Sequence, residues 1–117
     1  MTPDLSIIIV NYNAGAFLER CLRSLEAYAG GRTWDAVVID NHSCDGSETI
    51  AAEFAPRVLL VCNPENVGFG RAVNQGVAAT SGRFVLLLNP DGCLLPGAVD
   101  RLCQELDAHR DCAAIGP

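Results

Sequence analysis

The chain has 117 residues, which is enough for one domain and no more. Half of it is hydrophobic and its mean hydropathy is +0.22, so a core is affordable, yet no apolar run reaches the ~18 consecutive residues expected of a membrane span. A net charge of −6 and a pI near 4.6 exclude nucleic acid as a partner class, because nucleic acid selects basic faces. All 8 basic residues are arginine.

The first strand is predicted over Leu5-Ser6-Ile7-Ile8-Ile9-Val10. No charged segment precedes it and Asn11-Tyr12-Asn13 after it is no cleavage site, so a cytoplasmic protein is expected. Phe17, Leu18, Cys21, Leu22 and Leu25 then recur at helical spacing, and Gly30-Gly31 closes that helix. Ala36-Val37-Val38-Ile39 reads as the second strand. Asp45 and Glu48 fit a capping box for a helix carrying Ile50, Ala51 and Phe54. Val58-Leu59-Leu60-Val61 is the third strand, and a loop from Asn63 to Gly70 leads into a small-residue helix with Ala72, Val73, Gly76 and Val77. Phe84-Val85-Leu86-Leu87-Leu88 is short and wholly apolar, the pattern of a strand buried on both faces of a parallel sheet. Pro90 stops it. Pro96 suits the first turn of a last helix with the stripe Val99, Leu102, Cys103 and Leu106. Cys112 to Ile115 is expected to begin a fifth strand.

Alternating strands and helices predict a single three-layer α/β/α domain with a mainly parallel sheet. The expected strand order is 3-2-1-4, with a switch point beside the first strand. The six cysteines are scattered singly, without a C-x-x-C pair, and are expected as buried free thiols. His42 and His109 do not complete a zinc site.

Every strand delivers polar residues at its C-terminal end: Asn11-Tyr12-Asn13, Asp40-Asn41-His42-Ser43, Asn63 to Gly70, and Asn89-Pro90-Asp91. A parallel sheet brings all four sets to one edge, where open α/β sheets bind ligands. Taken singly, such residues are ordinary turn formers. Asp40 can accept hydrogen bonds from a base N–H or a ribose hydroxyl, or can cap a turn. Asp91 is the type of carboxylate a hard cation carrying a diphosphate needs.

The order of four segments closely resembles the start of glycosyltransferase family 2, enzymes of the GT-A fold that use nucleotide-sugar donors. The segments are Ser6–Asn13, Val38–Ser47, Asn66–Gly76 and Leu87–Asp91, and the resemblance they mark covers nearly the whole chain. The resemblance implies an inverting transfer from a dTDP- or UDP-sugar to a glycan or lipid-linked acceptor, in bacterial cell-surface polysaccharide synthesis. It places Val10, Asn11, Tyr12 and Asp40 around base and ribose, and Asn13, Asn41 and Ser43 among the other donor-binding residues. It places Gly68, Phe69, Arg71, Asn74 and Asn89 near the donor, with Arg71 facing either a phosphate or a surface ion pair. The family's metal motif is usually Asp-x-Asp; Asn89-Pro90-Asp91 is a variant associated with rhamnosyltransferase-like members. Mg2+ or Mn2+ is then expected on Asp91, donor phosphates and water.

The family's catalytic base lies in the later, acceptor half of the domain, which is expected beyond Pro117. Asp100, Glu105, Asp107 and Asp111 read as solvated charges, and none is nominated. An apolar surface near the fourth strand or last helix, where that half packs, is expected to favour a homodimer. Two other readings stand beside this one. A non-catalytic nucleotide-binding or interaction module fits a chain without its base. An NAD(P)-binding domain fits poorly, because Gly68-Phe69-Gly70 follows the third strand and Val73 replaces the last glycine of the fingerprint. A nucleotidyltransferase would open on a Gly-rich basic loop, which is absent here.

Overall fold

The computed structural model describes residues 2–116. Its elements run β1 (Leu5–Asn11), α1 (Ala16–Tyr28), β2 (Trp34–Asp40), α2 (Ser47–Ala52), β3 (Val58–Cys62), α3 (Phe69–Ala78), β4 (Phe84–Leu87) and α4 (Ala98–Ala108). The four strands form one parallel sheet in the order β3-β2-β1-β4, as the alternating pattern predicts. In this register Asn11 lies beside Asp40, and Asp40 beside Cys62. Three strand ends therefore finish level, and β4 ends beside β1.

Side-chain alternation along the strands assigns the helices to faces. Ile7, Ile9, Ala36 and Val38 pack with Leu18, Leu22 and Leu25 of α1, Ala51 of α2, and Val99 and Cys103 of α4. Ile8, Val37 and Ile39 point the other way and meet only Ala72 of α3, flanked by the partly buried Val10, Val61 and Val67. One face thus carries three helices and the other carries one. The single helix sits very close: a Cβ added to Gly76 would lie 2.5 Å from Ile8 Cγ2. Only glycine permits that approach.

Four sequence expectations are corrected. The β4 segment is not buried on both faces. Phe84 and Leu86 pack into the core, but Val85 and Leu87 are 47% and 51% exposed, because α3 does not reach the sheet edge they occupy. No fifth strand forms over 112–115; the residues after α4 are exposed coil, and the sheet ends at β4 among the described residues. Asp45 and Glu48 make no capping box. Gly46, at φ +82°, is the N-cap of α2 without a side-chain cap, and Asp45 instead accepts from the N–H and hydroxyl of Ser47. The cysteines are all free, but only Cys21 and Cys103 are buried; Cys44, Cys62, Cys93 and Cys112 are exposed. Those four lie on or beside loops and edges that no second layer covers.

Candidate functional site

The C-terminal edge of the sheet carries two polar clusters, one on each face. Asn11 and Asp40 both point toward the three-helix face. Asn11 is fully buried and Asp40 is 3% exposed. Asn11 Nδ2 donates to Asp40 Oδ1 at 2.8 Å and to Ser43 Oγ at 3.2 Å. The Ser43 hydroxyl donates to Asp40 Oδ1 at 2.7 Å, and its backbone N–H donates to Asp40 Oδ2 at 2.9 Å. Asp40 therefore organises its own turn at the C-terminal edge of the sheet. A carboxylate accepts about four hydrogen bonds, and three are used here. Asn11 Oδ1 is buried without a partner, an acceptor left open beside that carboxylate.

The loops after β1 and β2 are locked together. Asn13 takes a positive φ of 53°, its N–H donates to Ser43 Oγ at 2.9 Å, and its Oδ1 accepts from Cys44 N at 2.8 Å. Gly15 N donates to Ser47 Oγ at 3.2 Å. The paired donors of Ser47 hold the Asp45 carboxyl below the usual carboxylate range. Tyr12, next to buried Asn11, is 54% exposed, so its ring stands on the edge as a free apolar plate.

On the opposite face Asn41 is 3% exposed and Asn63 is 7% exposed. Asn41 Nδ2 donates to Gly68 O at 3.3 Å, and its Oδ1 accepts from Val67 N at 3.4 Å. Asn63 Nδ2 donates to Asn41 Oδ1 at 3.0 Å and to Gln75 Oε1 at 2.8 Å, and Gln75 Nε2 donates back to Asn63 Oδ1 at 2.8 Å. The sequence reading placed Asn41 in the site but passed over Asn63 and Gln75 as site residues. Asn63 follows β3 directly, as Asn41 follows β2, and that position was a usable signal. Gln75 had none, since its partner lies across the helix–sheet gap.

Gly68, at φ +87°, is the N-cap of α3, and no side chain caps the helix. Phe69, Arg71 and Asn74 on its first turns are exposed. Arg71 makes no ion pair among the described residues, unlike Arg23, Arg32, Arg83 and Arg101. The surface salt bridge entertained for it is not formed.

Beyond β4 the chain turns at Asn89-Pro90-Asp91-Gly92, closed by Gly92 N donating to Asn89 O at 2.9 Å. Two bonds pin this region to α1. The Cys21 thiol donates to Asn89 O at 3.7 Å, and Leu94 N donates to Ser24 Oγ at 2.9 Å. Burial, then the neighbouring Cys93 and Asp91, push the Cys21 thiol up to about 12. Asn89 and Asp91 are exposed, and Asp91 takes part in none of the ion pairs within the described residues. No group of three His, Cys, Asp or Glu there could hold a metal ion. A lone exposed carboxylate fits one ligand of a hard divalent cation completed by phosphates and water, and not an all-protein cage. Asp100, Glu105 and Asp107 pair with Arg32, Arg101 and Arg83, so they are surface charges. No helix among the described residues is long and apolar enough to cross a membrane.

A family model described as "Glycosyl transferase family 2" matches residues 6–117. The chain is 33% identical to an N-acetylglucosaminyl-diphospho-decaprenol L-rhamnosyltransferase of Mycobacterium tuberculosis, over all of this chain and 41% of that protein. It is 32% identical to the succinoglycan biosynthesis protein ExoO of Rhizobium meliloti, over 91% of this chain and 30% of that one. The chain thus spans well under half the length of these relatives. Among solved structures, a mannosyltransferase from Pyrobaculum calidifontis in complex with GDP-Man and Mn2+ superposes with TM-score 0.81 at 23% identity, over 91% of this chain and 33% of that one. S. aureus TarS superposes with TM-score 0.79 at 22% identity, over 94% of this chain and 20% of that one. These likenesses establish the GT-A fold.

Proposed function

Because this chain belongs to glycosyl transferase family 2, we propose that it forms the nucleotide-sugar-binding part of an inverting sugar transferase of cell-surface polysaccharide synthesis. The observation that carries this reading is the convergence at one sheet edge of the Asn11–Asp40–Ser43 cluster, the uncapped start of α3 with Arg71, and the Asp91 turn. Base and ribose lie over Val10, Asn11, Tyr12, Asn13, Asp40 and Ser43, where Asn11 Oδ1 is an unused acceptor and the Tyr12 ring offers a flat apolar surface. The diphosphate lies toward Gly68, Phe69, Arg71 and Asn74, where the open N–H groups of a helix start and a guanidinium favour negative charge. Asn89 hydrogen-bonds ribose or sugar.

Asp91 holds Mg2+ or Mn2+ together with the donor phosphates. When bound, the cation neutralises charge on the departing nucleoside diphosphate. A protein of net charge −6 needs such a counter-charge. The donor is a dTDP- or UDP-sugar and the acceptor a glycan or lipid-linked sugar; the mycobacterial relative, named for a diphospho-decaprenol-linked acceptor, supports the acceptor class. The base that deprotonates the acceptor hydroxyl belongs to sequence beyond Pro117, and the protein works in the cytoplasm at the membrane's inner face. The bare edge of β4, with Val85 and Leu87 outward, supports self-association of the isolated chain; sedimentation as a strict monomer at high concentration would remove that part.

Calorimetry with UDP and dTDP, with and without Mn2+, tests the donor reading. Binding is expected only with the cation, and Asp91→Asn is expected to weaken it about 10- to 150-fold, the effect of losing a charge-assisted contact. Asp40→Ala weakens binding while leaving the cation requirement intact. Equal affinity of wild type and Asp91→Asn in the presence of Mn2+ overturns the assignment of the metal.

A further inference from the structure

Between Cys62 and Phe69 the chain runs through six residues that lack strand or helix. Asn63 N donates to Asp40 O at 2.8 Å, which fastens the start of this loop to the sheet. From Pro64 to Gly68 the recorded hydrogen bonds are few. Gly68 N donates to Asn66 Oδ1 at 2.9 Å within the loop itself. Gly68 O accepts the first bond of α3, from Ala72 N at 3.3 Å. The remaining two, from Val67 N and to Gly68 O, both go to the side chain of Asn41. Asn41 thus grips one donor and one acceptor of consecutive residues, as a neighbouring strand would.

That grip needs Asn41 to present its oxygen to Val67 and its nitrogen to Gly68, and the backbone leaves no other orientation. Asn41 Oδ1 then demands a donor from Asn63, which fixes the Asn63 amide. Asn63 Oδ1 in turn faces Gln75 Nε2, and both Nδ2 hydrogens are used, on Asn41 and Gln75. Each amide's direction follows from the one before it. A buried network satisfied in a single sense is rigid, and breaking one member leaves others unpaired.

We infer that Asn41, Asn63 and Gln75 act together as positioning residues that hold the Val67–Gly68 backbone, and with it the start of α3, in place for the donor diphosphate. The inference rests on the donor-binding reading above. Gln75 is the useful probe, because it lies in the second turn of α3 and its side-chain hydrogen bonds join the network through Asn63.

The test uses the whole chain and two variants, with residue-resolved amide hydrogen exchange and titration with UDP and Mn2+. In Gln75→Met, Val67 exchange should quicken about fivefold to tenfold relative to wild type, the scale of one lost hydrogen bond. UDP affinity should fall by a similar factor, while Ser43 N, held by Asp40 on the other face, keeps its protection. Gln75→Glu separates positioning from mere bulk. Its carboxyl can donate to Asn63 only when protonated, so loop protection and affinity, each measured against wild type at the same pH, should recover toward pH 4 and be lost by pH 7. Gln75→Met should show no such recovery. Unchanged Val67 exchange in Gln75→Met overturns the inference, as does faster exchange with wild-type affinity. A wild type that binds neither UDP nor dTDP overturns the donor reading instead, and the exchange data still decide whether the network holds the loop.

Discussion

The two faces of the sheet are built to different ends. One is covered by α1, α2 and α4 and holds most of the buried side chains. The other is covered by α3 alone, which presses on Ile8 through Gly76 and leaves Leu59, Val85 and Leu87 about half exposed. Both faces finish in a polar cluster at the same edge, but the clusters differ in kind. The Asn11–Asp40–Ser43 cluster carries a charge and an unused acceptor. The Asn41–Asn63–Gln75 cluster is neutral and closed on itself. The thicker face supplies stability and a buried acceptor without a partner; the thinner one supplies a fixed frame for the loop that enters α3.

This contrast can be broken by comparing truncations on the two faces. Leu22→Ala, at a fully buried position on the three-helix side, should cost about 2–5 kcal/mol, whereas Val85→Ala on the bare side should stay within about 0.5 kcal/mol. Urea unfolding gives both numbers, and similar losses would mean that the faces carry equal weight. Gly76→Ala probes the close approach of α3. Alanine favours a helix over glycine by about 1 kcal/mol, yet here the added methyl meets Ile8 and should destabilise by about 1–3 kcal/mol. Ile8→Ala in the same chain should relieve part of that clash, so a double-mutant cycle reads a favourable coupling.

Smaller effects sharpen the picture through ionisation. Cys21 lies on the buried side of α1 with its thiol pushed up to about 12. A raised folded value means the neutral thiol is favoured by folding, so its contribution is complete below the ordinary thiol value near 9 and is lost as pH rises from there toward about 12. Alkaline denaturation of wild type and Cys21→Ala, compared over that window, should show a steeper slope in wild type, while the part due to burial of Cys62 and Cys103 persists in both. At pH 8 a thiol reagent should label Cys44 and Cys112 well before Cys21. The smallest effect belongs to Asp45. Its carboxyl is held low by Ser47, so its contribution is present above its ordinary value and disappears as pH falls through the lowered one. Asp45→Asn should therefore lower stability slightly at neutral pH and flatten the acid limb, so that variant and wild type converge as pH falls.

Much of the fold and site was legible in the chain because it depends on local pattern. Runs such as Ile7–Val10 and Val37–Ile39 are apolar at every step, which only a strand covered on both sides requires. Alternation with amphipathic helices then forces a parallel sheet, and the ends of parallel strands must gather on one edge. Asp40, Asn41 and Asp91 are nominated this way, since each lies within three residues of the end of an apolar run. The matching motifs also identified the family.

What remained hidden depends on which helix lands on which face. Val85 and Leu87 look identical in sequence to Phe84 and Leu86, and only the reach of α3 leaves them bare. Four cysteines read as core residues sit instead where no second layer exists. Asp40 and Asn41 are neighbours in the chain but point to opposite faces, so one joins Asn11 and the other joins Asn63. Gln75 enters its cluster only because α3 is drawn close over Ile8 by a glycine. The amino-acid sequence by itself determined the periodicities, the order of elements and the polar residues at the strand ends, because these follow from backbone geometry one element at a time. The tertiary structure alone decided coverage, exposure and the partners of each amide, because those depend on distances between elements that no local pattern records.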